Sequence, residues 1–229
     1  MKNLALAALL LCLLTGNALA SFITYDAKAA FITGNVLDAS NAPWSYGYSN
    51  APIGATITPF TTSNYYDDAN AFGFRVASDY TPGVFKTNRD NWPYAGAAVG
   101  TFAMHSGNTT ATEFAVLRFT APTAGLYNLD VKWFAGDSKN VSIFVNQNGL
   151  TLASALNTLD GGSFAPSGTI NLAANDYFEI RVGKGNDGHS FDTTPVEMTV
   201  TAVPEPSSIA VVSGLVAGLS VLSRRRRQA

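Results

Sequence analysis

Cysteine, histidine and charge are scarce in this sequence, which has 1 Cys, 2 His and 13% charged residues in 229. The single cysteine, Cys12, falls inside the apolar stretch Leu4 to Leu14, which follows Lys2 and is ended by Gly16-Asn17. Ala18-Leu19-Ala20 then gives the small-x-small pattern of a signal-peptidase site, so residues 1–20 read as a secretory signal peptide cleaved after Ala20. A buried core helix, the alternative, would need a polar face that this stretch lacks. A lipoprotein would need small residues before its cysteine, and Leu9-Leu10-Leu11-Cys12 offers none. The exported chain is then free of thiols, which excludes disulfides and thiol catalysis. Two histidines exclude a multi-histidine metal site.

A long hydrophobic run is also missing. The apolar stretch near the C-terminus, Ile209 to Leu222, has 14 residues, or 17 when extended to Ser207 and Ser223. At about 1.5 Å per residue it reaches roughly 21 to 26 Å, against roughly 30 Å for a bilayer core. The four residues Arg224, Arg225, Arg226 and Arg227 behind it would keep that end cytoplasmic. Four arginines directly after an apolar span argue against their use on nucleic acid.

Val203-Pro204-Glu205-Pro206-Ser207, the short apolar span and the terminal arginines, in that order, resemble the PEP-CTERM sorting signal of Gram-negative bacteria. The resemblance covers residues 203–229, with the motif at 204–206, the span at 207–223 and the arginine cluster at 224–227. It implies an exosortase as a processing partner near the Pro-Glu-Pro motif, beside the signal peptidase expected at the other end. The C-terminal short transmembrane helix would then sit in the inner membrane only transiently. It further implies export across the inner membrane, residence at the cell surface or in the extracellular matrix, and a link to exopolysaccharide or biofilm. Pro204, Glu205 and Pro206 would be recognition residues for the processing enzyme, not catalytic groups. Two prolines hold such a segment extended and deny it helix and strand bonds, as they would in a plain linker.

Between the two ends, residues 21–202 have the length of one domain with a sizeable core. Removing Lys2 and the four terminal arginines from 14 basic residues leaves 9, and removing Glu205 from 16 acidic residues leaves 15, so this span carries 9 − 15 = −6. An acidic surface argues against nucleic acid and anionic lipid as partners. Catalytic motifs are absent as well: there is no His-Glu-x-x-His, no Gly-x-Ser-x-Gly and no phosphate-cradling glycine loop.

What the span does have is period-two alternation. Tyr127, Leu129, Val131 and Trp133 share one face with Asn128, Asp130 and Lys132 on the other; Val141, Ile143 and Val145, then Phe178, Ile180 and Val182, then Val196, Met198 and Val200 repeat the pattern. Turn-formers separate these runs, among them Pro122 to Gly125, Asn146 to Gly149, Asp160 to Gly162 and Asn175-Asp176. The fold class expected is all-β, a single antiparallel β-sandwich of jelly-roll or galactose-binding-like type, flanked by the signal helix and the C-terminal helix. The first half is less regular and reads as long loops with a few strands, contributing Trp44, Phe72, Phe74 and Phe102 to the core.

The series Asn41 to Ser49, Thr81 to Asn88, Met104 to Phe134 and Asn175 to Thr194 is similar, in order, to a secreted β-sandwich module often placed ahead of sorting tails. It departs from that pattern at His105-Ser106-Gly107, where the module has His-Pro-Gly. The resemblance implies a galactose-binding-like or carbohydrate-binding fold. Sugars stack on aromatic rings, and Trp44, Tyr46, Tyr48, Tyr65, Tyr66, Trp92 and Tyr94 lie among small polar residues, so they are the candidate ligand-binding set, with core packing as the alternative for each. Asp176, Asn186, Asp187 and Asp192 supply hard oxygen ligands suited to calcium, no other cofactor being expected, although Asn, Asp and Gly are also what tight turns demand. His105 and His189 could meet across a loop cluster, or simply serve turns. Two readings follow: a non-catalytic, exported surface or matrix protein that binds extracellular polysaccharide, or a secreted hydrolase using paired carboxylates on such a polymer.

Overall fold

A computed structural model describes residues 22–31, 42–54, 56–62, 69–76, 81–109 and 113–204. Ala18, Ala20, Tyr65, Tyr66, Glu205, Pro206 and Arg224 to Arg227, and with them both terminal-helix expectations, lie outside the described residues. Pro204 is described and follows directly on the last strand. Among the described residues no helix is long and apolar enough to cross a membrane.

Fourteen strands and one turn of helix follow one another in the described chain: β1 (Ile23–Asp26), α1 (Ala27–Ala30), β2 (Trp44–Ser49), β3 (Thr58–Pro59), β4 (Ala71–Arg75), β5 (Gly83–Thr87), β6 (Phe102–His105), β7 (Phe114–Thr120), β8 (Gly125–Trp133), β9 (Val141–Gln147), β10 (Leu150–Thr158), β11 (Gly162–Phe164), β12 (Ile170–Leu172), β13 (Tyr177–Lys184) and β14 (Thr193–Val203). One sheet runs β11-β8-β14-β6-β5-β4, with β1 also on β14 and β12 also on β8; the other runs β10-β9-β13-β7-β2-β3. The chain is thus all-β, with two antiparallel sheets. Consecutive strands change sheet from β6 to β7, β7 to β8, β8 to β9 and β13 to β14, which sets the sheets face to face.

The alternation read from the sequence explains which faces meet. Tyr127, Leu129, Val131, Trp133, Val196, Met198 and Val200 from the first sheet join Ile143, Val145, Phe178, Ile180 and Val182 from the second in one buried cluster. Trp44, Phe74 and Phe102 are buried in that cluster and Phe72 packs against it. Gly162 lies under the Trp133 indole, where a Cβ would stand 2.6 Å from Cε2. The short α1 is started by Asp26, whose Oδ1 accepts from Ala29 N at 3.0 Å.

Alternation predicts that Glu179 and Arg181, on the opposite phase of β13, face solvent. Both are instead fully buried. Arg181 Nε donates to Glu179 Oε1 at 2.7 Å, while Arg118 donates to Oε2 through Nε at 3.1 Å and Nη2 at 2.8 Å. Register places Ser45, Arg118, Glu179, Asn146 and Thr151 opposite one another across β2, β7, β13, β9 and β10, a polar row spanning the outer face of the second sheet. The chain leaving β2 folds back over this row: Arg181 Nη1 donates to Ser49 Oγ at 2.9 Å and Ala51 O at 2.6 Å, and Asn146 Nδ2 donates to Pro52 O at 2.9 Å. Arg118 completes the edge of the row by lying 3.8 Å over the Tyr177 ring.

Candidate ligand-binding cleft

The connection from β5 to β6, residues 88–101, is held by bonds within itself and to β5. Thr87 Oγ1 donates to Ala98 O at 2.7 Å and accepts from Thr101 N at 3.1 Å. Asp90 Oδ1 accepts from Val99 N at 2.9 Å, Asn91 Oδ1 accepts from Gly96 N at 3.0 Å, and Asn91 N donates to Ala97 O at 2.6 Å. Gly96 turns the chain at φ +93°, a conformation that strains any side chain. Trp92 packs on Ala71, Phe85 and Ala103, its ring edge-on to Phe85 at 5.7 Å. Phe85 and Ala103 alternate with the core residues Val84, Phe102 and Met104, so the connection lies over the outer face of the first sheet.

Tyr94, half-buried on this connection, lines an open cleft of about 400 Å³ together with Phe134, Gly136, Thr101, Glu197 and Lys28. Phe134 follows β8 and is 41% exposed. Gly136 lets the chain after β8 press against β14, since a Cβ there would overlap Thr193 O and approach Pro195 Cδ to 2.8 Å. A second space of about 480 Å³ adjoins the first, sharing Lys28 and Glu197 and adding Asp26, Lys86 and Thr199. The two form a groove with an apolar, aromatic half and a charged half.

Electrostatics differ between the halves. Burial, and then the nearby Asp137 carboxylate, raises the Tyr94 phenol above its usual range, so it stays a neutral hydrogen-bond donor. Asp137 is itself raised by burial, against an opposing backbone bond from Ser138. In the charged half, Lys86 Nζ donates to Lys28 O at 2.6 Å. Burial and then the Lys28 charge lower the Lys86 ammonium, with Asp26 opposing. Ion pairs among the described residues are Arg118 with Glu179, Arg181 with Glu179, and Lys132 with Asp130, so Lys28, Lys86 and Glu197 enter none. Such a groove offers flat apolar rings for stacking and unspent charged groups for hydroxyls, which is how saccharides are held.

Of the sequence-predicted aromatics, Tyr94 lines this groove and Trp92 braces its wall from behind. Trp44 and Tyr46 are core residues and not ligand contacts, a correction that follows from the inward phase of β2. Trp44 packs on Phe119 at 5.3 Å, and Tyr46 on Phe31 and Phe74 at 5.1 and 5.7 Å. Tyr48 is half-buried against Phe60 at 5.9 Å. Phe134, Lys28 and Glu197 escaped the sequence reading. Two of them carried a signal: Phe134 continues the outward phase of Asn128, Asp130 and Lys132, and Glu197 sits on the outward phase between Val196 and Met198. Lys28 gave none, because only the β1–β14 pairing brings it near.

The four proposed calcium ligands are not brought together. Asp176 precedes β13 and accepts from Ala173 N at 2.8 Å, whereas Asn186, Asp187 and Asp192 follow the same strand, whose eight residues span roughly 25 Å. Asp187 accepts from Asn140 N at 3.2 Å through both oxygens. Asp192 is fully buried; Oδ2 accepts from Ser106 Oγ at 2.8 Å, and Oδ1 has no hydrogen-bond partner. Among the described residues no group of three or more His, Cys, Asp or Glu could hold a metal ion. His105, 9% exposed, has Nδ1 2.8 Å from Ser106 O, and since a carbonyl only accepts, Nδ1 carries a proton there.

No protein-family model and no curated protein sequence matches the chain. Among solved structures it is similar to the K1 cleaved adhesin domain of Lys-gingipain from Porphyromonas gingivalis, at 10% identity and a TM-score of 0.34, over 81% of this chain and 99% of that one. A family 35 carbohydrate-binding module from Clostridium thermocellum follows at 15% identity and a TM-score of 0.30, over 50% of this chain and 85% of that one. The C-terminal family 6 carbohydrate-binding module of LamC from Zobellia galactanivorans stands at 8% identity and a TM-score of 0.27, over 69% of this chain and 98% of that one. At scores this low, the functional reading rests on the chain's own residues.

Proposed function

We propose that this chain is an exported, exosortase-processed surface or matrix protein whose sandwich, of jelly-roll or galactose-binding-like type, binds extracellular polysaccharide without cleaving it. The carrying observation is the groove in which Tyr94 and the exposed Phe134 flank an open space rimmed by the unpaired Lys28 and Glu197. An aromatic pair of this kind stacks on the apolar faces of sugar rings, while the rim groups take the hydroxyls. The strand changes between the two sheets support the fold type, and the order of Pro204-Glu205-Pro206, apolar span and arginines supports the sorting route.

A glycan array on residues 21–202, with and without calcium, followed by calorimetry on the best oligosaccharide, tests the reading. Tyr94→Ala and Phe134→Ala are each expected to weaken binding about tenfold, since losing one stacking contact costs on the order of 1.5 kcal/mol, with the melting temperature little changed. A flat array, or full affinity in both variants, would sink the binding proposal. Shortening of the bound oligosaccharide during incubation would instead favour the hydrolase.

A further inference from the structure

The charged half of the groove goes further than the aromatic half in specifying a ligand. Lys86 is fixed in place, since its Nζ donates to Lys28 O at 2.6 Å, and this bond spends only one of its three donors. No carboxylate among the described residues pairs with it. Lys28, which lines both halves, is equally unpaired and lies close enough for its charge to lower the Lys86 ammonium further than burial alone does. Two neighbouring ammonium groups, one of them partly desolvated, are stabilised by an anion placed between them. Of the two carboxylates on this stretch, Asp26 has committed Oδ1 to Ala29 N at the start of α1. Glu197 stands where the halves join and is exposed. A carboxylate there accepts hydroxyl bonds and repels a second negative charge. The aromatic half beyond it, walled by Tyr94, Phe134 and small residues, has Lys28 as its one cation among the described residues, shared with the charged half.

We propose that the groove selects an acidic polysaccharide in which charged and neutral sugars alternate, a uronate carboxylate seated at Lys28 and Lys86 and the adjoining neutral sugar stacked on Tyr94 and Phe134. The proposal rests on the carbohydrate reading above and refines it. Glu197 is then the discriminating group: it tolerates the hydroxyls of a neutral neighbour and disfavours a second uronate, so a polymer charged on every unit fits less well than one charged on alternate units.

Three β-1,4-linked hexasaccharides separate the possibilities by calorimetry on residues 21–202: alternating glucose and glucuronate, cellohexaose, and hexaglucuronate. The alternating ligand is expected to bind at least tenfold more tightly than either of the others, with an affinity that falls as salt is raised. Lys86→Gln should remove that preference while changing the affinity for cellohexaose less than twofold; Lys28→Gln, which also takes away a hydroxyl contact, should weaken both ligands and the alternating one more. Glu197→Gln should narrow the gap between the alternating and the fully charged ligand. Unchanged cellohexaose binding with a normal melting temperature excludes misfolding as the cause. Equal affinity for alternating and neutral ligands, or equal losses for both in Lys86→Gln, overturns the acidic preference and leaves polysaccharide binding standing. If none of the three ligands binds while the glycan array gives a neutral hit that Tyr94→Ala abolishes, the acidic preference falls alone. A flat array removes both.

Discussion

Glu179→Ala is expected to destabilise residues 21–202 by about 3–5 kcal/mol, the cost of leaving a buried charge without its partner. The structural reason is that Glu179 serves two guanidiniums at once. Arg181 is completely buried, with Nη2 2.7 Å from Glu179 Oε1, and its Nη1 donates to the neutral Ser49 Oγ and Ala51 O. Arg118 keeps 20% of its side chain in solvent, so it can recover hydration when the carboxylate is lost. Arg181 cannot, and it should draw water beneath the chain that follows β2 or push that chain away. For a domain of this size the loss corresponds to a fall in melting temperature of roughly 10 °C. Arg181→Met in the same background should recover part of it by removing the buried charge that Glu179 balances. A single Glu179→Ala variant melting within a degree or two of the wild type would show that this row is hydrated and not sealed.

Asp192 gives the second large effect, this time through pH. Burial, only partly offset by the Ser106 hydroxyl bond, raises its carboxyl from the ordinary 3.8 to about 7; Asp187 and Asp137 push in the same direction and Lys139 against it. Between roughly pH 4 and 7 the folded chain therefore holds a proton that the unfolded chain has released. The contribution of Asp192 to stability is fully present below pH 4, is lost as pH rises through that window, and levels off above about 7. At about 1.4 kcal/mol per unit the total is up to about 4 kcal/mol. This is the reverse of the usual carboxylate, whose folded-state pKa is depressed. Asp192→Asn keeps an oxygen for the Ser106 hydroxyl and removes the titration. The variant should match the wild type near pH 4 and exceed it clearly at pH 8 in thermal melts. Asp137, also raised by burial, should leave a residual slope in the variant. Identical pH profiles for both proteins would show that Asp192 titrates as an ordinary surface acid.

Both effects concern residues that period-two reasoning could not place. The strands β8, β9 and β14 were legible because one face is the more deeply buried, which leaves alternation in the sequence, and β13 because one of its two buried phases is apolar and the other charged. Glu179 and Arg181 obey the same alternation yet are buried, because the chain after β2 crosses their face and supplies oxygens to Arg181 and Asn146. Coverage by a distant segment leaves no periodic trace. The first half misled for a different reason. Trp44, Tyr46 and Tyr48 alternate with Ser45, Gly47 and Ser49, which is a strand pattern, but the surrounding small polar residues suggested an aromatic loop. In the fold, β2 lies between β7 and β3, and its Trp44 and Tyr46 rings fill the core while Tyr48 packs half-buried against it. The groove was legible in part: Tyr94 from its polar setting and Phe134 and Glu197 from their phase, with Lys28 joined to them only by tertiary pairing.

The position of β14 has a mechanical meaning. This strand of 11 residues has β8 along one side and β6 along the other, β1 also pairs with it, and the chain leaves it at Val203 into Pro204. A pull applied through Pro204 in line with β14, against a hold elsewhere on the sheet, loads that strand along its axis. Interstrand bonds lie across that axis, so they share the load and must yield together instead of parting one after another from an end. An edge strand pulled sideways would peel. A protein tugged from this end should therefore unfold at high force for its thermodynamic stability, and under rising tension the sandwich should hold until β14 slides as a unit.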